Sequence, residues 1–301
     1  MITTNKLLNK QIICGRPGSA MKFALGILSI IIGVVSAAYS NVTATGYDTE
    51  QGLKSVWLSA AASCGHENYL THVFKGPTEG FVVSKVIYNA DDDTQGYIGY
   101  LPSDKSIYVV FRGSESIQNW ITNLNAFKVP YTSWSDCNCQ VHKGFYAAEQ
   151  KVISDVITEV KNLQKAHSGY AVKVTGHSLG AALAQLTSMD LIKAGISTSV
   201  YNFGQPRTGD ANYAAFANKK VTTYRVVHDR DEVPHLPFTT GMEFYHVCTE
   251  IFENSSGSLK TCTNTCEDPS CMDQYKFPTD TNGDDHLVYL GLSMSCEAVS
   301  R

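Results

Sequence analysis

The sequence predicts an α/β fold with a mostly parallel central sheet. Three observations carry this. Short runs of β-branched and aromatic residues alternate with segments of helical spacing. No repeat, charge block or low-complexity tract divides the chain, and its 301 residues, 43% apolar and 17% charged, suffice for a substantial core. One strand also passes through a glycine-flanked turn straight into a helix.

In chain order, Ser106 to Phe111 (SIYVVF) reads as a buried strand. Ser114 to Leu124 (SESIQNWITNL) reads as a short amphipathic helix. Its Ile117, Trp120, Ile121 and Leu124 fall at i, i+3, i+4 and i+7, opposite Glu115, Gln118, Asn119, Thr122 and Asn123. Such a stripe is either pinned to a core or uncovered at some moment. Phe145 to Gln164 has helical spacing, with Val152, Val156, Ile157, Val160 and Leu163 on one side. Ala171 to Thr175 (AVKVT) is a strand and Ala181 to Lys193 a helix; Val200 to Phe203 and Thr223 to Val227 are further strands. In sheets of this kind, chemistry sits in the loops at the carboxyl ends of the strands.

One such loop is Gly176-His177-Ser178-Leu179-Gly180, between AVKVT and the helix that follows. A serine held on so sharp a turn sits in strained backbone, and glycines flank it where side chains would collide. The helix N-terminus then aims free N–H groups at any oxyanion formed beside Ser178. His177 adjoins the serine but points away from it, and reads as packing or hydrogen bonding within the turn. A serine nucleophile needs a base, and the base an orienting carboxylate, in the chain order Ser, acid, His. The downstream histidines are His228, His235, His246 and His286, of which only His286 has acidic neighbours, Asp284 and Asp285. For the acid, position alone leaves Asp229, Asp231 and Glu232 open.

The N-terminus has a different character. Met21-Lys22 precedes the apolar run FALGILSIIIGVVSA, and Val35-Ser36-Ala37 offers small residues for cleavage. Residues 1–37 therefore read as an extension plus secretory signal with Met21 as an internal start, and 38–301 as the folded part. The alternative is an uncleaved signal anchor from Phe23 to Tyr39. Removing 1–37 takes away Lys6, Lys10, Arg16 and Lys22 and no acid, so the net charge moves from −4 to near −8. Such a surface repels nucleic acid and anionic membranes. Of nine cysteines, eight lie beyond Cys14, an even number that in an exported chain points to disulfides. Cys262, Cys266 and Cys271 lack the paired spacing of a zinc site, and Asp280, Asn282 and Asp284 lack the glycine and glutamate of a calcium loop, so no metal is expected. Asn41-Val42-Thr43 and Asn254-Ser255-Ser256 are glycosylation acceptors.

From about Ser59 to Cys296 the chain resembles the filamentous-fungal class 3 lipases, the family of the Rhizomucor, Rhizopus and Thermomyces enzymes. The motifs are VFRGSESIQNWITNLNAF, VHKGF, VTGHSLGAAL, YNFGQPRTGD, YRVVHDRDEVPHLP and DHLVYLG. The resemblance implies an α/β-hydrolase fold, one domain with a short helical lid, and no cofactor. It implies Asp231 as the acid and His286 as the base of Ser178, with Asp229 a solvated loop charge and Asp284 and Asp285 loop or capping residues. It assigns the oxyanion hole to Ser114 and the backbone N–H of Leu179. It makes Ile117, Trp120, Ile121 and Leu124 the apolar face of the lid, and it pairs Cys64 with Cys296.

There are departures. Glu232 stands where the family resembles Ile, which leaves the acyl preference open and Val233, Leu236 and Leu287 as groove candidates. Cys137-Asn138-Cys139 has one intervening residue where the family has two, so its ring is strained or its cysteines pair elsewhere. Cys248, Cys262, Cys266 and Cys271 allow three connectivities, and Asn254 to Thr281 reads as an irregular loop over the groove. The expected activity is that of a secreted triacylglycerol lipase acting at a lipid–water interface, with no stable protein partner. A phospholipase A1, galactolipase or feruloyl-type esterase is the alternative, though feruloyl esterases resemble a polar, fixed flap where this chain is apolar. A non-catalytic lipid-binding relative is the remote one.

Overall fold

The computed structural model describes residues 46–116, 119, 121, 126–262 and 265–300. The proposed signal segment and its 37/38 boundary lie outside them. Among the described residues, no helix is long and apolar enough to cross a membrane.

The chain enters through α1 (Thr49–Ala61), whose first turn is capped by Asp48 Oδ1 accepting from Gln51 N at 3.1 Å. Strands β1 (Val82–Asn89), β2 (Thr94–Leu101) and β3 (Ser106–Phe111) follow as an antiparallel meander. A small hairpin, β4 (Lys128–Pro130) and β5 (Gln140–His142), leads into the long α2 (Lys143–Ala166). Next come β6 (Ala171–His177), α3 (Leu179–Lys193), β7 (Thr198–Phe203), α4 (Ala211–Lys220) and β8 (Thr222–His228). The chain closes through β9 (Glu250–Glu253), β10 (Leu259–Thr261), the short pair β11 (Val288–Tyr289) and β12 (Leu292–Ser293), and α5 (Cys296–Ser300).

The eight-stranded sheet has the order β1-β2-β3-β6-β7-β8-β9-β10. Its pairs from β3 to β9 are parallel, with antiparallel pairs at either end. Side chains alternate across a strand, so each strand feeds two cores. On β3, Ile107, Val109 and Phe111 join Val152, Val156 and Val160 of α2 and Leu183 and Leu186 of α3. Tyr108 and Val110 turn the other way, to Leu58, Ala60 and Ala61 of α1. Helices on both faces leave the carboxyl ends of β3, β6 and β8 as the accessible rim.

Among the described residues four disulfides brace this frame: Cys64–Cys296, Cys137–Cys139, Cys248–Cys266 and Cys262–Cys271. The first, across 232 positions, ties the end of α1 to α5. The second closes within its own three residues rather than pairing elsewhere. Two boundaries differ from the sequence reading. β6 runs on through Gly176 and His177, because both stay paired with Asn202 and Phe203 of β7, and α3 starts at Leu179 rather than Ala181. The Asn254–Thr281 segment is also more regular than expected, since Leu259–Thr261 adds to β9 as the sheet's last strand. That pairing is supplied by a neighbour in space, which three isolated residues cannot announce.

Candidate active site

The turn after β6 is built by contacts that admit no side chain at two positions. A Cβ on Gly176 would fall 2.4 Å from the Gly180 carbonyl group, and one on Gly180 2.4 Å from the Phe111 oxygen. Between them Ser178 takes φ +58°, a region side chains rarely adopt, and its N–H donates to the Phe203 carbonyl at 3.0 Å. Leu179 opens α3 directly behind it, so the unsatisfied N–H end of the helix faces the serine.

The loop after β3 runs alongside. A Cβ on Gly113 would lie 3.2 Å from the Cβ of Ser178, which sets the following Ser114 at the nucleophile's flank. The loop after β8 arrives from the other side. Asp231 N donates back to the His228 carbonyl at 2.9 Å, and Asn282 N to the Arg230 carbonyl at 2.7 Å. A single bridge, Asp231 with Asn282, joins this loop to the 3-10 turn Gly283–Leu287 that carries His286.

His286 Nδ1 then lies 2.7 Å from Asp231 Oδ2, with both side chains fully buried. A carboxylate only accepts, so Nδ1 carries the proton and Nε2 is left as the basic nitrogen. Asp231 also accepts from the Tyr289 hydroxyl at Oδ2 and from Val233 N at 2.8 Å on Oδ1. Burial alone would raise its pKa, but His286, the Tyr289 hydroxyl and the Val233 amide outweigh it and hold the carboxyl below its ordinary value. The Ser178 Oγ and the His286 Nε2 are both buried, and neither has a hydrogen-bond partner. In acyl transfer these are the two atoms between which the proton passes.

Among the described downstream histidines, His286 is the one with a carboxylate partner. His228 Nδ1 is engaged with the Asp285 carbonyl at 2.9 Å, and His246 Nε2 with that of Pro234 at 2.7 Å. Burial, then the Arg207 charge, pushes His235 down to about 4. Among the three open acids, Asp231 is the one on His286; Asp229 accepts from the Tyr275 hydroxyl at 2.9 Å, and Glu232 is half-buried. Asp284 is exposed, and Asp285 Oδ2 accepts from Arg230 N at 3.3 Å.

Three residues that sequence reasoning did not single out, Tyr289, Gly204 and Glu253, surround the pair, and His177 bonds otherwise than expected. Tyr289 anchors Asp231. A Cβ on Gly204 would fall 2.6 Å from His286 Cε1. Glu253 Oε2 accepts from Leu290 N at 2.8 Å and holds the strand after His286. His177, read as bonding within its own turn, instead donates from Nε2 to the His286 carbonyl at 2.8 Å, with the two rings 4.4 Å apart. Burial, then the neighbouring His286, lowers its pKa to about 3, so it stays neutral. The sequence signal for Tyr289 is its place in the motif DHLVYLG, three residues after the histidine.

Ile117, Trp120 and Leu124 of the expected lid face lie outside the described residues. Ile121 is helical and half-buried, and the helical, exposed Asn119 donates from N to Ser116 Oγ at 3.4 Å. Of the groove candidates, Val233 and Leu236 are buried, while Leu287 is 44% exposed and lines a cavity with Ser114 and His177. Where cysteine sulfur lies near a further ligand type, at His72 and at Glu250, the sulfurs are those of disulfides.

Residues 108–241 match the family model described as lipase (class 3). The chain is 38% identical to a lipase of Rhizomucor miehei over 227 residues, 72% of this chain, and spans only 60% of the length of that relative. Its fold superposes on a Rhizomucor miehei triacylglyceride lipase with a TM-score of 0.77, at 31% identity, covering 84% of this chain and 98% of the other. It superposes equally on a triacylglycerol lipase whose catalytic centre is described as a serine protease triad, with a TM-score of 0.76, 32% identity and the same coverage. On fold, motif and extended identity together, the chain belongs to the class 3 lipase family.

Proposed function

We propose that the chain is an exported carboxylic-ester hydrolase that cleaves triacylglycerol at a lipid–water surface. The observation that carries this is the buried Asp231–His286 pair, which leaves Nε2 as the basic nitrogen, together with Ser178 on its strained turn at the carboxyl end of β6. Ser178 Oγ adds to the ester carbonyl as His286 Nε2 takes its proton. Asp231 fixes the tautomer and stabilises the imidazolium. The Leu179 N–H and Ser114 receive the oxyanion. Collapse expels the alcohol, protonated by His286, and water repeats the sequence on the acyl-enzyme. No cofactor enters these steps.

Ile117, Trp120, Ile121 and Leu124 form the lid's apolar face in this reading. Burying each is worth roughly 1.5–3 kcal/mol, enough to hold a lid shut in water or to seat it in lipid. The absence of exposed surface on Ser178 fits a covered site. The negative charge of the chain without residues 1–37, near −8, disfavours nucleic acid as a partner.

Ser178→Ala should abolish hydrolysis of emulsified triolein without altering the fold by circular dichroism. Tributyrin measured across its solubility limit tests the lid. A rate per substrate that does not rise at the limit would remove interfacial activation, and a panel with phosphatidylcholine, galactolipid and methyl ferulate ranks the head groups.

A further inference from the structure

The hairpin that joins β9 to β10 turns through Asn254-Ser255-Ser256-Gly257-Ser258. Its backbone closes on itself: Asn254 N donates to the Ser258 carbonyl at 3.0 Å, and Gly257 N to that of Asn254 at 2.8 Å. Ser255, Ser256 and Ser258 are exposed. Gly257 takes φ +79°, and a Cβ built on it would meet nothing within 4 Å. The turn is held by its own bonds and has open space beside it.

The Asn254 side chain is engaged at one end alone. Its Oδ1 accepts from Ser256 N and Ser258 N, both at 3.0 Å, and from Ser256 Oγ at 2.7 Å. Two backbone N–H donors can meet only an oxygen, which fixes the way round of the amide. Nδ2 donates to no described residue, and it is not one of the buried side-chain atoms that lack a partner, so it is open to solvent.

We infer that Asn254 Nδ2 is the attachment atom of an N-linked glycan, delivered by an oligosaccharide carried on a lipid diphosphate. This rests on the exported part of the reading above, because such donors meet a chain on the secretory route. The four disulfides point to the same oxidising compartment. In the transfer Nδ2 bonds to the anomeric carbon and gives up one proton to a base of the transferase. The bond from that carbon to the diphosphate oxygen breaks, and its electron pair leaves with the diphosphate. Oδ1 and its three hydrogen bonds are untouched by the linkage, so the hairpin closes equally well with the glycan in place.

The site stands at the catalytic end of the sheet. β6, β7, β8 and β9 are mutually parallel, so the hairpin after β9 shares an end with the Ser178 turn after β6. β7 and β8 separate the two, a span of about 14 Å at ordinary strand spacing. A glycan there flanks the mouth of the site and does not cap it.

The test expresses the full chain in a fungal host and collects it from the medium. Peptide N-glycosidase in heavy-oxygen water converts a glycosylated asparagine to labelled aspartate, which peptide mapping locates. Residue 254 should carry the label in the wild type, lose it in Ser256→Ala, which keeps the asparagine, and regain it in Ser256→Thr. A secreted wild-type chain whose Asn254 is unlabelled overturns the site and leaves export standing. A chain kept inside the cells with residues 1–37 still attached overturns export, and the site with it, a distinct result.

Discussion

His286 and Asp231 meet at 2.7 Å although 55 residues separate them, and neither has exposed surface. The carboxylate fixes which imidazole nitrogen is basic, so its charge and acceptor character matter more than its size. Asp231→Asn should retain the fold yet stabilise the wrong tautomer. A fall in kcat of about 10⁴-fold is expected. Acylation bursts with p-nitrophenyl butyrate would measure it, and a loss under tenfold would remove Asp231 from its role.

Tyr289 donates its hydroxyl to the same carboxylate oxygen. Tyr289→Phe deletes a charge-assisted bond inside the core and should cost about 1.5–3 kcal/mol in urea unfolding at pH 7. The Asp231 pKa is depressed in the folded chain, so its stabilisation is present above the ordinary value of 3.8 and is lost as pH falls through the lower folded value. The gap between wild type and variant should therefore be constant from pH 5 to 8 and narrow below about 4. A gap that widens in acid would contradict this.

Gly204, at φ +59°, holds space for the base. A methyl there would lie 2.6 Å from His286 Cε1 and 2.7 Å from the Tyr289 oxygen. Gly204→Ala should displace the imidazole and lower kcat/KM by about 100-fold, since small misplacements at a reacting centre carry penalties of that order. Unchanged kinetics would show that the ring tolerates the displacement.

Away from the site, Glu149 of α2 is fully buried beside Asp190 of α3. Gln150 Nε2 donates to both, at 2.7 and 2.9 Å; Ser133 Oγ at 2.9 Å and the Tyr131 hydroxyl at 3.4 Å donate to Asp190. Lys193 and Tyr213 are the other charged or titratable neighbours. Burial, then the Asp190 charge, raises the Glu149 pKa well above 4.5, and burial raises that of Asp190. A raised carboxyl leaves the folded state binding more protons, so stability declines as pH climbs from the unfolded value toward the folded one. Glu149→Gln should thus raise Tm at pH 8 relative to wild type, by about 2–4 °C per kcal/mol recovered, and give no advantage near pH 4. Equal shifts at both values would exclude the ionisation as cause.

The parts of the site that were legible are those whose chemistry is local. Gly176 to Gly180 announces its turn because the glycines and serine are contiguous, and the strand and helix around it follow from apolar spacing. By contrast, position left Asp229, Asp231 and Glu232 equivalent, and only family motifs separated them. Their environments differ because a bridge to Asn282 and the Val233 amide fall to Asp231 alone. The pairings Cys248–Cys266 and Cys262–Cys271 were likewise undecidable, since connectivity depends on which sulfurs approach in space.

By itself, then, the order of residues determined the layered α/β architecture and the glycine-flanked turn that presents Ser178, the proposed nucleophile. Periodicity and backbone strain act over a few residues, so they can be read along the chain. Tertiary packing decided the rest: the neutral His177 under the base, the Tyr289 hydroxyl on the acid, the space kept by Gly204 and the polar cavity beside Ser114. Each is a contact between segments far apart in sequence, set when β3, β6 and β8 are brought into one rim.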